Sequence, residues 1–380
     1  MHDRRTGWRL AGSLALAGLA FLTLQSGFDR MAAQQPALAR LVAEPFQGEA
    51  AKTLALQAIM RGEPDAPELA NDAVRASPAE ASSLALVGVA SLQAGDGERA
   101  ATAFTLAARG GWRDRATQLY WFEAARGAGD WPNAALRADA LMRADPRFPG
   151  SERMLAAIEE DARGRAVWAR RLAAAPPWRS AYLAPDISGE GSRELLRRRS
   201  LVLLEEQAPP ADCGSVEPFV RNALQAGERG VAQAVWNRSC PDLAVGSGLI
   251  DPDFARAGQG TQGAFGWHRY PSGDVTVVFE GEGDTRRLVG RNRSARYRKL
   301  AGQALSLPQG RYRFEVRLAD GDADDLRATL PCADAQGGNA GDGIQPGQVL
   351  TVGDCTAQQF DLWLRGGTAS VIESVMLRPL

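Results

Sequence analysis

The stretch DWPNAALRADALMRADP, residues 130–146, decides how this chain is read, because its spacing of Trp131, Ala134, Ala138, Leu141 and Pro146 recurs. Thirty-four residues before Gly129 stands Gly95, inside LVGVASLQAGDGERAATAFTLAA, where Gly88, Gly95, Ala100, Phe104 and Ala107 occupy corresponding places. One period earlier, GEPDAPELANDAVRASP offers Ala66, Ala70, Ala73 and Pro78 in the frame of Ala134, Ala138, Leu141 and Pro146. Three units result, at 47–80, 81–114 and 115–148.

Small residues where two helices would cross, a closing Pro and this period resemble the tetratricopeptide repeat. In such an array each helix pair carries an apolar face that only a stacked neighbour can bury. Ala100 and Ala134 would let helices approach, with Phe104 and Leu92 filling the space between pairs. After Pro146 the pattern weakens. RMLAAIEEDARGRAVWARRLAAAPP keeps helical periodicity, and FVRNALQAGERGVAQAVW repeats the spacing through Gly227, Ala232 and Trp236. A generic helical bundle is the alternative.

With 380 residues, 45% of them hydrophobic, the chain has room for two or three domains. A formal net charge of −1 leaves no electrostatic footprint for nucleic acid. No charge stands between Leu10 and Phe28, with Arg4, Arg5 and Arg9 before them and Asp29 and Arg30 after. That arrangement predicts a transmembrane helix, because about 17–20 apolar residues suffice. Leu24, Gln25 and Met31 stand where a signal-peptidase site wants small residues, which favours an uncleaved anchor. The flanking arginines then put the N-terminus in the cytoplasm and the bulk of the chain outside, as in a single-pass protein of a bacterial inner membrane facing the periplasm. Cys213, Cys240, Cys332 and Cys355 are even in number, form no CxxC, and are expected to pair sequentially as disulfides.

Near residue 245 helical spacing gives way to alternation. RYRFEVRL sets Tyr312, Phe314, Val316 and Leu318 on one face and Arg311, Arg313, Glu315 and Arg317 on the other, after the turn signal LPQG. DVTVVFEG, DLRATLPC, QVLTVGDC, QQFDLWLRG and ASVIESVMLRPL read as further strands, enough for an antiparallel sandwich.

The succession of LIDPDFARAGQGTQGAFGWHRYPSGDVTVVFEG, the hairpin around LPQGRYRFEVRL and the closing SVIESVMLRP resembles the galactose-binding-like jelly rolls used as carbohydrate-binding modules. The whole chain resembles bacterial envelope proteins that join a membrane anchor, degenerate tetratricopeptide units and such a module. The fold class expected is therefore multidomain α plus β: a cytoplasmic tip and transmembrane helix at 1–30, a tetratricopeptide-like α-helical solenoid at 31–244, and an antiparallel β-sandwich (jelly roll) at 245–380. In that family sugars rest on exposed aromatic rings. Trp363 is the leading candidate, since Phe360, Leu362 and Leu364 share the other face and leave it with Asp361 and Arg365. Trp267 and Tyr270, in FGWHRYPSG, are read first as packing residues and second as sugar contacts; Tyr297 and Tyr312 are read as core. The resemblance also implies a structural calcium between the first and last strands, at Asp253 and Glu373. Glu373, on the face of Val371, Val375 and Leu377, needs a partner, calcium or an arginine; Ser374, where the second acid would stand, favours the arginine. No other cofactor is expected. The acidic run DGDADD, residues 320–325, lacks the glycine and glutamate of a calcium loop and reads as a solvated turn.

No catalytic signature accompanies these features. Beyond His2 the only histidine is His268, no GxSxG elbow occurs, and neither GEGDTRRLVG nor GGNAGDGIQPG has phosphate-loop spacing. The expectation is a non-enzymatic scaffold whose helices dock a protein partner and whose sandwich binds polysaccharide during envelope or exopolysaccharide assembly or export. The alternatives are an adaptor with a purely structural sandwich, and an enzyme built from scattered carboxylates.

Overall fold

A computed structural model describes residues 3–258, 263–332, 343–355 and 357–380, with side chains from residue 13. The chain divides into two compact units, Met1–Phe148 and Pro149–Leu380. The side chains of Arg4, Arg5 and Arg9 and most of the Gly-rich segment 337–347 lie outside the described residues.

The first unit is helical. After α1 (Asp3–Ala32) come α2 (Glu49–Arg61) and α3 (Ala66–Ala76), α4 (Ala81–Gln93) and α5 (Gly97–Arg109), and α6 (Arg115–Gly127) and α7 (Trp131–Ala144), so that each pair falls within one of the three frames. The turns inside the second and third pairs are the same device. Gly95 and Gly129 adopt left-handed backbone, with φ of 79° and 70°, and the following Asp96 and Asp130 cap α5 and α7 by accepting from Arg99 N and Asn133 N. Ala100, Ala134 and Ala138 are fully buried, as close helix packing needs. The tightest point is Gly88, where an added Cβ would lie 2.6 Å from the Phe104 ring. Phe104 in turn stacks on Tyr120 at 4.2 Å between centroids. Leu92 departs from its expected role: it is about half exposed.

The expected transmembrane anchor is overturned, and with it the inner-membrane placement and its cytoplasmic N-terminus. Among the described residues no helix is long and apolar enough to cross a membrane. The physical reason is dilution: Gly12, Ser13, Gly18, Thr23, Gln25, Ser26 and Gly27 interrupt the apolar residues. The end of α1 is also committed to protein. Gln25 Oε1 accepts from Ala43 N at 2.7 Å, and Asp29 Oδ1 accepts from Gly48 N and Ala50 N at 2.8 and 2.9 Å. Phe28 and Ala32 pack with Ala39, Val42 and Ala50.

The second unit begins with α8 (Ser151–Glu160), α9 (Ala162–Ala173), the short α10 (Arg179–Leu183), α11 (Ser192–Leu203), α12 (Cys213–Gln225) and α13 (Arg229–Ser239). A buried charge network joins α8, α10 and α11. Arg199 donates to Glu159 at 3.4 Å, to both Glu152 oxygens at 2.7 Å and to the Tyr182 carbonyl at 2.7 Å, while the Tyr182 hydroxyl donates to Glu159. Burial raises the Glu159 carboxyl, against the pull of Arg199. The Cys213–Cys240 disulfide ties the start of α12 to the end of α13, a closure worth roughly 3 kcal/mol.

Two antiparallel sheets follow. One has the order β1 (His268–Arg269), β4 (Arg298–Leu305), β8 (Gln358–Leu364), β6 (Leu326–Thr329); the other β2 (Val275–Glu280), β3 (Arg287–Asn292), β9 (Ala369–Pro379), β5 (Gly310–Asp320), β7 (Val349–Val352). Phe314, Phe360, Leu300, Leu362, Ile372 and Val375 are fully buried members of one core. The Cys332–Cys355 disulfide joins the segments after β6 and before β8. Strand β3 was not legible, because Gly290 and its arginines break the apolar alternation; Gly290 is required by the Leu300 side chain, 2.6 Å from an added Cβ. Irregular pairing with β5 turns Ile372 and Val375 of β9 into the core and leaves Glu373 half-buried, so the face expected for Glu373 is corrected. The last helices are built onto the sandwich: Trp236 of α13 packs against Gly263, and Ser306 Oγ donates to Gln233 Oε1 at 3.3 Å.

Gly88→Ala is expected to destabilise by about 1–3 kcal/mol through the forced shift of Phe104, whereas Gly127→Ala, with nothing within 4 Å, should stabilise by up to about 1 kcal/mol; chemical denaturation of both variants checks the opposite signs. Asp212 caps α12, accepting from Ser215 Oγ and Ser215 N and pairing with Arg179, and these bonds, the Ser215 hydroxyl first, lower its carboxyl to about 2. Because the folded value lies below the unfolded one of about 3.9, the stabilisation is complete above that range and is lost as pH falls through it towards 2. Asp212→Ala should therefore cost about 1 kcal/mol at pH 7, and its thermal stability should converge with the parent's in acid.

Candidate functional site

The outward face of the four-stranded sheet carries a cluster that combines partly exposed aromatic rings with a buried charge. Strand β8 alternates as its sequence demands: Gln358, Phe360, Leu362 and Leu364 point inward, Gln359, Asp361 and Trp363 outward. Registration places Gly302 of β4 opposite Asp361, Lys299 opposite Trp363, and Arg327 and Thr329 of β6 opposite Trp363 and Asp361.

Asp361 is only 2% exposed although it faces outward. Its carboxylate lies 2.6 Å from Lys299 Nζ and accepts from Gln359 Nε2 at 3.2 Å. Gly302 makes the room: a Cβ there would come within 2.6 Å of Asp361 Oδ1 and of the Phe360 carbonyl. Lys299 Nζ stands 4.8 Å from the centre of the Tyr270 ring and 5.4 Å from that of Trp363, so the ammonium is shared by two rings and a carboxylate. Trp363 is half-buried and donates through Nε1 to Thr329 Oγ1 at 2.9 Å, which fixes its plane. Burial first, and then the Asp361 carboxylate, push the Tyr270 phenol up. Beside these groups Arg327 lies over the Tyr297 ring at 4.5 Å.

The sequence-derived candidates therefore separate. Trp363, Asp361 and Tyr270 come together. Arg365 does not join them; it follows the end of β8 and pairs with Asp325 at 3.2 Å. Trp267 belongs to the core, 7% exposed, against Phe254 and Phe360, and donates to the Asp251 carbonyl. Tyr312 is core, but Tyr297 is half-buried beneath Arg327. Lys299, Gly302 and Thr329 were missed, since each acts only through a partner on another strand.

The pair expected for calcium divides. Glu373 is bound to Arg287 at 3.0 Å, and Asp253 is exposed. The buried acid of that segment is Asp251, whose carboxylate accepts from Arg256 N and closes the turn. Among the described residues no group of three or more His, Cys, Asp or Glu is placed to hold a metal. The acidic run forms a turn in which Asp322 accepts from Asp324 N.

No protein-family model matches the chain, and no characterised protein is significantly similar to it.

Gly302→Ala should push the Asp361 carboxylate away from Lys299 and lower stability by about 1–3 kcal/mol. Gly273→Ala, where the added carbon meets nothing within 4 Å, should change it by less than about 0.5 kcal/mol; thermal denaturation compares the two.

Proposed function

We propose that this chain is a non-catalytic binding protein of an oxidising, exported compartment, whose sandwich engages a polysaccharide on the outward face of the four-stranded sheet. The observation that carries the reading is the Lys299–Asp361 pair held between Tyr270 and Trp363. Aromatic faces match the C–H faces of pyranoses, and the part-exposed Lys299 ammonium, fixed by the buried Asp361, offers a donor to sugar hydroxyls. The two disulfides support the compartment. On this reading the sandwich is a carbohydrate-binding module of the galactose-binding-like kind, the helix pairs are tetratricopeptide-like, and the protein acts in assembly or export of an envelope polysaccharide.

A second reading is a protein-interaction adaptor whose sandwich is purely structural; one feature of the first unit supports the protein partner that the two readings share. A groove of about 650 Å³ there is lined by Leu56, Ile59, Met60, Leu86, Val89 and Leu119, apolar groups from the first helices of the three pairs. Both readings give the helices a protein partner; they differ in whether the sandwich binds sugar.

Electrophoresis of the full chain through gels containing envelope polysaccharides tests the choice. Retardation is expected, with Trp363→Ala losing at least tenfold in affinity, about 1.4 kcal/mol, while remaining folded. Equal mobility of parent and variant in every gel would leave the adaptor.

A further inference from the structure

Arg229, the first residue of α13, carries a charge that no described residue answers. It is 2% exposed, and its guanidinium stands 5.0 Å from the centre of the Phe265 ring. One nitrogen, Nη2, donates to the Gly246 carbonyl at 3.3 Å. Nε and Nη1 are buried without a hydrogen-bond partner, and no carboxylate among the described residues pairs with the group. The contrast is Arg199, equally buried but satisfied by two carboxylates and a carbonyl. Burial alone pulls Arg229 down to about 10, which leaves it charged at neutral pH. A buried cation without a counter-ion costs several kcal/mol, and such groups concentrate where something binds.

Arg229 lies on the wall of a cleft of about 600 Å³ between α12, α13 and the edge of the four-stranded sheet. Arg221 and Gln225 face it from α12, His268, Tyr270 and Gln359 from the sheet. Its only carboxylate among the described residues, Glu217, is held by Arg221 at 2.7 Å. Apart from that pair, what lines the cleft is cationic or neutral and rich in donors. Tyr270 belongs both to this cleft and to the aromatic face around Lys299.

We propose that the cleft receives an oxyanion, carboxylate or phosphate, borne by a sugar whose neighbouring rings rest on Tyr270 and Trp363, so that the ligand is an acidic polysaccharide. The identification of the bearer rests on the glycan reading above; the anion site does not. The anion supplies the counter-charge that Arg229 lacks, and charge-assisted hydrogen bonds in a partly desolvated cleft give the selectivity.

Calorimetry on the full chain tests this with three probes: a galacturonate oligomer, a galactose oligomer of equal length, and inorganic phosphate. The galacturonate oligomer is expected to bind roughly tenfold to a hundredfold more tightly than its neutral counterpart, with the preference shrinking as salt is raised. Arg229→Met should abolish the preference, retain binding of the galactose oligomer, and unfold at the parent's temperature or above, because it removes an uncompensated buried charge. If that variant does not fold, Arg221→Gln at the exposed rim should weaken the preference instead. Equal binding of the two oligomers, or a preference that survives in folded Arg229→Met, overturns the proposal. Phosphate binding that depends on Arg229, without binding of either oligomer, overturns the acidic-glycan assignment and the glycan reading together and leaves a site for a free phosphate. Binding of the galactose oligomer alone preserves the glycan reading and removes the anion site.

Discussion

The Asp361 carboxylate, buried on the outward face of a strand whose other face fills the core, is the constraint from which the site follows. A charge in that position must be paired and hydrogen-bonded, and Lys299 and Gln359 supply both. The room they need explains a glycine at 302. Once Lys299 is drawn down onto Asp361, its ammonium comes to lie between Tyr270 and Trp363. The aromatic surface is thus organised from beneath by electrostatics, and the Thr329 hydroxyl fixes the indole from the side. Such preorganisation would lower the entropy lost by any ligand that settled on the rings.

Two buried guanidiniums in the same unit show opposite solutions to one problem. Arg199 is surrounded by Glu159, Glu152 and the Tyr182 carbonyl, and there burial serves to lock α8, α10 and α11 in register. Arg229 has an aromatic ring and one carbonyl. The difference is topological. Arg199 faces other helices, which bring acids to it, whereas Arg229 faces the seam between α12, α13 and the sheet, where a cleft remains.

The helix pairs of the first unit obey a simpler rule. Alanines at the crossings allow close approach, and one large ring, Phe104, is accommodated by removing a side chain at Gly88. The first unit also presents an apolar groove, whereas the second concentrates its chemistry in charge and aromatic faces.

Local pattern determined much of this architecture. The period around Gly95 and Gly129, the capping aspartates and the alternation of RYRFEVRL and QQFDLWLRG are all properties of near neighbours in the chain, so helix pairs, most of the strands and the outward placement of Asp361 and Trp363 were legible. The tertiary structure decided whatever depends on a distant partner. It took Trp267 into the core, bound Arg365 to Asp325 and Glu373 to Arg287, and showed Gln25 and Asp29 holding the backbone after α1, in a segment whose apolar appearance suggested a membrane. It also made Lys299, Gly302 and Arg229 important, because the meaning of a charge or a missing side chain is set by what packing brings against it, and no periodicity along one segment carries that information.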